Sequence, residues 1–244
     1  DTATNIAHYG VGGGITYDSQ AADEYDEVLA KMAVLREQRP AFDLLETLRL
    51  KRGRYTLLHG HLRRLEQSAA YFGIPVSLAA VRDTLFALAR KHSTGTHKAR
   101  LLVSATGEIS VAATPLHPPS TDSMPVALAA TPIAKNDRFL FHKTTNRSVY
   151  EQARAARPDV FDVLLWNEDG ELTEFTIGNL VIELDGRLWT PPQASGLLAG
   201  VLREALVQRG TIAERVITRH DLHRSTRIWL INSVRGWVRV FFTE

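Results

Sequence analysis

The stretch "FDVLLWNEDGELTEFTIGNLVIELDGRLWT", residues 161–190, restricts the fold more than any other part of the chain. Asp169-Gly170 and Asp185-Gly186 each separate strand-like apolar runs, and an Asp-Gly pair in that setting marks a hairpin turn. This half of the chain must therefore hold consecutive antiparallel strands. Helical signals flank them. Ser148 and Glu151 have capping-box spacing, and "LLAGVLREALVQRG" reads as a helix ending at Gly210. "ERVITR" and "RIWLINSV" read as further strands, and "RFLF", just ahead of Lys143, as an extended apolar run.

The part before it, residues 41–135, has the same mixture. "FDLLETLRL", the turn "KRGR" and "YTLL" read as a hairpin. A helix follows with Leu62, Leu65, Ala69 and Phe72 inward and Gly73 just past its end. Ser77 is an expected N-cap for a second helix carrying Leu78, Val81, Leu85 and Leu88. "ARLLVSATGEISVAAT" reads as another hairpin, and "VALAATPI" as a strand after the polar loop "HPPSTDSMP". The class is α+β. Residues 1–40 form a further unit, a glycine-rich loop and a helix with Ala22, Val28, Leu29 and Met32 towards one face. It is too small to bury a core alone.

With 44% hydrophobic and 23% charged residues in a length of 244, the rest can build a core of useful size. The formal net charge of +2 comes from surplus arginine rather than basic runs. No Lys/Arg stripe alternates with aromatics, so nucleic acid is not an expected partner. A pocket for a small anion is. The absence of cysteine excludes disulfides, thiolate metal sites and cysteine nucleophiles, and a reducing, cytoplasmic setting is expected. No apolar run is long enough for a membrane span. The N-terminus lacks signal-peptide features and a methionine, so the chain is expected to be part of something longer.

Chemistry gathers at a few positions. Lys143 sits beside apolar residues where an extended run gives way to a helix, and a desolvated lysine loses its proton easily. A neutral lysine is what a Schiff base with an aldehyde cofactor requires, although a surface lysine at a helix start fits the same stretch. Glu174 could hold the proton of a pyridine nitrogen, or be an ordinary edge-strand glutamate. Gly200, Val201 and Leu202 open a helix, so their N–H groups are free for a phosphate. Arg64 could add a charge-assisted contact, and Ser233 a hydroxyl.

The order of these signals carries more than any one of them. "H-x-x-R-L-x-x-S" (His61, Arg64, Leu65, Ser68), the lysine with Asn-Arg following, "D-G-x-L-T-E-x-x-x-x-N", "G-V-L-R" and "N-S-V-R-G" form a series over about residues 41–240. It resembles the class IV aminotransferases, pyridoxal-phosphate enzymes of fold type IV. The resemblance implies a two-domain α+β fold of the D-amino acid aminotransferase kind, with a small domain at 41–135, a large domain at 136–244 and the cofactor in the cleft. It implies Lys143 as the Schiff-base lysine, Glu174 at the pyridine nitrogen and Asn179 as a structural asparagine. Arg64, Gly200, Val201, Leu202 and Ser233 become the phosphate site. It also implies a homodimer and no metal.

Within the family, "KTTNR" is similar to the "K-x-x-N-R" of 4-amino-4-deoxychorismate lyases. Those enzymes eliminate pyruvate to leave 4-aminobenzoate, a step of folate biosynthesis. Lys143 would then be the base and Thr47 would protonate or orient the leaving group. Arg147 and Arg235 are candidates for substrate carboxylates or the cofactor hydroxyl, and Glu46, Thr47 and Arg49 fall where relatives face the cofactor. "GVGGGITYDSQAADEYDEVLAKMAVL" resembles the closing segment of chorismate-utilising synthases, with Glu24 and Glu27 at their magnesium site. The expectation is a synthase component I joined in cis to a lyase, with residues 1–40 the remnant of a chorismate-binding domain. Two alternatives remain: a transaminase of D- or branched-chain amino acids, and a non-catalytic domain supporting the synthase. Free-standing relatives have two further strands before "FDLLETLRL" and a longer C-terminal tail.

Overall fold

The computed structural model describes residues 4, 6–36, 40–117 and 123–243. Most of the expected loop "HPPSTDSMP" lies outside them. Asp1–Ala41 form one compact unit and Phe42–Glu244 another.

The first unit contains α1 (Ala21–Arg36) with Asp23 and Glu24 in its first turn, where carboxylates favour the helix dipole. The expected inward face is incomplete: Val28 and Met32 are half-buried, but Ala22 is exposed and Leu29 is 44% exposed. The unit is too short to cover one side of a helix. Its glycine loop approaches the helix closely, since a Cβ on Gly13 would meet Glu24 Oε2 at 2.9 Å. Glu24 accepts from Ser19 Oγ at 2.6 Å, and Glu27 pairs with Lys31 at 2.5 Å.

The second unit opens with β1 (Leu44–Lys51), β2 (Arg54–Tyr55), α2 (Leu58–Phe72), α3 (Leu78–Lys91), β3 (Thr96–Val103) and β4 (Ile109–Pro115). The four strands make an antiparallel sheet in the order β2-β1-β3-β4. Alternation decides its faces. Leu44, Leu48 and Leu50 of β1 and Ala99, Leu101 and Val103 of β3 pack with Leu62, Leu65, Val81 and Leu85 of the two helices. Each fully buried leucine contributes roughly 2 kcal/mol. The caps are as expected. Ser77 Oγ accepts from Ala80 N at 3.3 Å, and Gly73 takes the left-handed φ of 68° that closes α2. The other face of the sheet carries Thr47, Arg49, Lys98 and Arg100.

The remainder comprises β5 (Met124–Leu128), α4 (Arg138–Phe141), α5 (Ser148–Ala156), β6 (Asp162–Trp166), β7 (Leu172–Phe175), β8 (Gly178–Leu184), β9 (Arg187–Thr190), α6 (Val201–Gln208), β10 (Ala213–Glu214), α7 (Arg219–Arg224), β11 (Arg227–Asn232) and β12 (Gly236–Phe242). Strand order is β10-β9-β8-β11-β12-β5-β6-β7, and β7 also pairs with β8. The strands from β8 round to β7 therefore close into a ring, filled by Val126, Leu164, Leu172, Phe175, Leu180, Ile182, Leu230 and Val240. Both Asp-Gly hairpins form. At Asp185-Gly186 both residues have positive φ, 52° and 72°, as a type I′ turn requires.

Five local expectations change. Of "YTLL" only Tyr55 lies in a strand, because α2 already begins at Leu58. β5, expected with the first sheet, pairs in parallel with β6 and β12, so a boundary at 135/136 would cut a strand from the ring. "RFLF" is the short helix α4 rather than extended, because Asp137 accepts from Phe139 N at 2.9 Å and buries Leu140. Ser148 lies inside α5, whose N-cap is Arg147, so it forms no capping box. Only Glu214 of "ERVITR" lies in a strand, because a capping box of Thr218 and Asp221 starts α7 instead. Among the described residues no helix is long and apolar enough to cross a membrane.

Candidate active site

A cavity of about 300 Å³ lies between the open face of the small sheet and the end of the strand ring. Leu45 and Thr47 of β1 and Lys98 and Arg100 of β3 form one wall. Glu174, Thr176, Ile177, Gly178 and Asn179 from the β7–β8 hairpin form another, closed by the 232–235 turn and the start of α6.

Lys143 reaches the cavity from the strap between α4 and α5. That strap is stitched to the start of β1: Lys143 O accepts from Leu45 N, and Asp43 O from Thr145 N, both at 2.9 Å. Burial, reinforced by Arg64 and Arg147, lowers its ammonium pKa to about 7, against the opposing pull of Glu46 and Glu174. Near neutrality a large fraction of Lys143 is therefore the free amine.

Glu174 is 4% exposed, and burial raises its pKa to about 7. Donors from Leu198 N at 3.0 Å, Tyr150 Oη at 2.9 Å and Asn179 Nδ2 at 3.2 Å oppose that rise and fix its direction. A buried carboxylate and a half-buried amine line one cavity, each shifted to titrate near neutrality. Such pairs of shifted groups mark sites of proton transfer.

The candidate anion cradle is built at the start of α6, against which α2 packs. Gly200 is the N-cap of α6 and offers no side-chain cap, so the first N–H groups of α6 remain free. A Cβ on Gly200 would stand 2.0 Å from Asn179 Oδ1, so only glycine fits. Gly60 plays the same steric part in α2, where a Cβ would meet Val201 Cγ1 at 2.6 Å. Arg64 lines the cavity with its guanidinium locked by Glu46, which accepts from Nε at 2.8 Å and from Nη2 at 2.7 Å. Glu46 also bonds His61 Nδ1 at 2.7 Å. Burial pushes its carboxyl up, but Arg64 and His61 more than offset this and hold its pKa at about 2.

Most of the residues singled out from sequence meet here: Thr47, Arg64, Lys143, Arg147, Glu174, Asn179, Gly200, Val201, Ser233 and Arg235 all line the cavity. Three do not. Glu46, expected to face substrate, is 1% exposed and turned to the helix side of β1, where it holds Arg64. The period of a strand puts 46 and 47 on opposite faces. Arg49 shares the face of Thr47 but lies beyond the cavity, opposite Lys98. Leu202 is not among the lining residues and packs against the cluster of Val181, Leu206, Ile212 and Ile231. Ser233 is close to the Thr47 carbonyl, 3.5 Å from its Oγ. Sequence reading missed Lys98 and Arg100, although they alternate with the buried Ala99 and Leu101 and so had to share a face. It also missed Tyr150, and Asn232, whose Oδ1 accepts from Val234 N and Arg235 N to hold the last turn.

The residues present fit pyridoxal phosphate: an amine for its aldehyde, a buried carboxylate for its ring nitrogen and an anion cradle for its phosphate. Fold and site together are of the kind that an aldehyde cofactor and a lysine would require. The model of the family "Amino-transferase class IV" matches residues 43–241, and the chain belongs to that family. It is 30% identical over 210 residues to a Schizosaccharomyces pombe protein named "Putative aminodeoxychorismate lyase", covering 79% of this chain and 86% of that one. A Mesorhizobium loti crystal structure titled as a "Putative amino-acid aminotransferase" superposes with a TM-score of 0.79 at 31% identity, covering 83% of this chain and all of that one. The PLP-bound form of a hypothetical aminotransferase from Mycobacterium tuberculosis gives a TM-score of 0.73 at 25% identity, covering 86% and 82%. The unit Asp1–Ala41 lies outside the family match.

Proposed function

We propose that this chain is a pyridoxal-phosphate-dependent lyase that converts 4-amino-4-deoxychorismate to 4-aminobenzoate and pyruvate. The observation that carries the reading is the charge of the cavity. Arg64, Lys98, Arg100, Lys143, Arg147 and Arg235 line it against one carboxylate, Glu174. The phosphate takes Arg64 and the cradle, and the aldehyde takes Lys143. Lys98, Arg100 and Arg235 are then left for substrate, and their cationic charge suits the two carboxylates of aminodeoxychorismate.

Pyridoxal phosphate, when bound, supplies an electron sink through its protonated ring. Glu174 holds that ring-nitrogen proton, and the cradle fixes the phosphate. Lys143 Nζ removes the proton from the amine-bearing carbon. As the ring carbon–oxygen bond breaks, the enolpyruvyl group leaves with its electron pair and the six-membered ring becomes aromatic. A proton returned to the enolpyruvyl methylene completes pyruvate, so atoms balance without a co-reactant. Thr47, which lines the same cavity, orients the leaving oxygen.

A second reading, amino transfer from an amino acid, is supported by the likeness to the Mesorhizobium loti protein. Two incubations separate them. With pyridoxal phosphate and aminodeoxychorismate, and no 2-oxo acid added as amino acceptor, the lyase forms equal amounts of 4-aminobenzoate and pyruvate. Glutamate appearing from amino acid plus 2-oxoglutarate, with no 4-aminobenzoate, would establish the transaminase instead.

A further inference from the structure

Tyr150 has no part in the chemistry above, yet it is 7% exposed and its hydroxyl is aimed at Glu174. Its ring lies under the Arg147 guanidinium, 4.4 Å from the centroid. Arg147 is itself anchored on the Thr176 carbonyl at 2.5 Å. The three residues form a chain running from the strap behind Lys143 to the carboxylate.

Counting acceptor sites on Glu174 shows what the chain does. An ionised carboxylate accepts about four hydrogen bonds, two at each oxygen. Oε1 accepts from Leu198 N and Tyr150 Oη, so it is filled. Among the described residues Oε2 accepts only from Asn179 Nδ2, so one of its sites remains open. We propose that Tyr150 is a positioning residue: by filling Oε1, it leaves Oε2 as the atom that meets the cofactor's ring nitrogen, and by donating it favours the carboxylate form of Glu174. The cation over the ring face strengthens the phenol as a donor, because it draws charge from the oxygen. The inference rests on the pyridoxal reading of the site, not on which substrate is used.

The charged and titratable groups facing this carboxylate are few. Lys143 and Arg147 lie on the strap side and favour its ionised form, while Asp137 faces Tyr150 from the start of α4. The barrel side offers the neutral Asn179 and the Leu198 backbone.

Tyr150→Phe removes the hydroxyl and keeps the ring, its packing and the Arg147 contact. In apo protein carrying carboxyl-labelled glutamate, NMR should show the Glu174 midpoint rising from about 7 by about one pH unit, the equivalent of one hydrogen bond to a charged group. In protein loaded with pyridoxal phosphate, the acid limb of the visible-absorbance titration should move the same way, with the urea midpoint shifting little. An unmoved apo midpoint overturns the proposal. So does a moved apo midpoint with an unmoved absorbance titration, which would make the bond structural only. Neither readout involves substrate. Absence of 4-aminobenzoate alongside both shifts would reject the lyase reading and leave the role of Tyr150 standing.

Discussion

Replacing Glu46 by glutamine tests the frame on which the anion cradle stands. Glu46 ionises at about 2 in the folded protein against 4.5 as a free side chain. The folded state therefore favours its carboxylate by about 3 kcal/mol. Because the folded pKa is the lower one, this stability is fully present above about pH 4.5 and fades as pH falls towards about 2. Glutamine cannot substitute for it. Its amide NH₂ would face Arg64 Nε, or else Arg64 Nη2 and His61 Nδ1, setting donor against donor. Urea unfolding of the apo protein at about pH 7 should show Glu46→Gln less stable by about 3 kcal/mol. The gap should stay constant down to about pH 5 and narrow below it. Affinity for inorganic phosphate should fall as well, since Arg64 loses its two-point anchor. A variant as stable as the parent, or a stability gap that ignores pH, would refute the reasoning.

Lys143→Ala should abolish the borohydride-trapped pyridoxyl adduct detected by peptide mass. An adduct on Lys135, an exposed lysine whose pKa Asp169 raises, would move the cofactor site elsewhere. Glu174→Gln should retain cofactor but lose on the order of 100-fold or more in turnover, the usual cost of removing a preorganised charge. Near-full turnover would remove its role at the ring nitrogen. Gly200→Ala must displace Asn179, and with it a donor to Glu174, so cofactor affinity should drop on the order of 10-fold or more in a direct titration. An unchanged dissociation constant would mean that the cradle lies elsewhere.

Much of what could be read before the structure is decided by short-range chemistry, although the Ser148/Glu151 capping box and the extended "RFLF" did not form. Ser77, Gly73 and the two Asp-Gly turns are fixed by neighbours a few residues away, and each forms as expected. Lys143, Arg64, Glu174 and Gly200 were legible from their order along the chain. Long-range pairing was harder. β5 is a short apolar strand that either sheet could have taken, and only its parallel partners, distant in sequence, assign it. At Glu46 the residue was right but the direction was wrong. A buried carboxylate bound to histidine and arginine looks, in sequence, like a catalytic one. Tyr150 and the Lys98/Arg100 pair became visible only once the two walls of the cavity were set face to face.

The strap that carries Lys143 is bonded to the first residues of β1, the strand that also bears Thr47. At its other end the strap is bonded to the β7–β8 hairpin, through Arg147 to the Thr176 carbonyl and, one turn into α5, through Tyr150 to Glu174. Mechanically it is a crossbar joining the two walls of the cavity. A relative slide of the two sheets would have to break one set of these bonds, so the distance from the amine to the carboxylate is set by the crossbar rather than by how the sheets happen to meet.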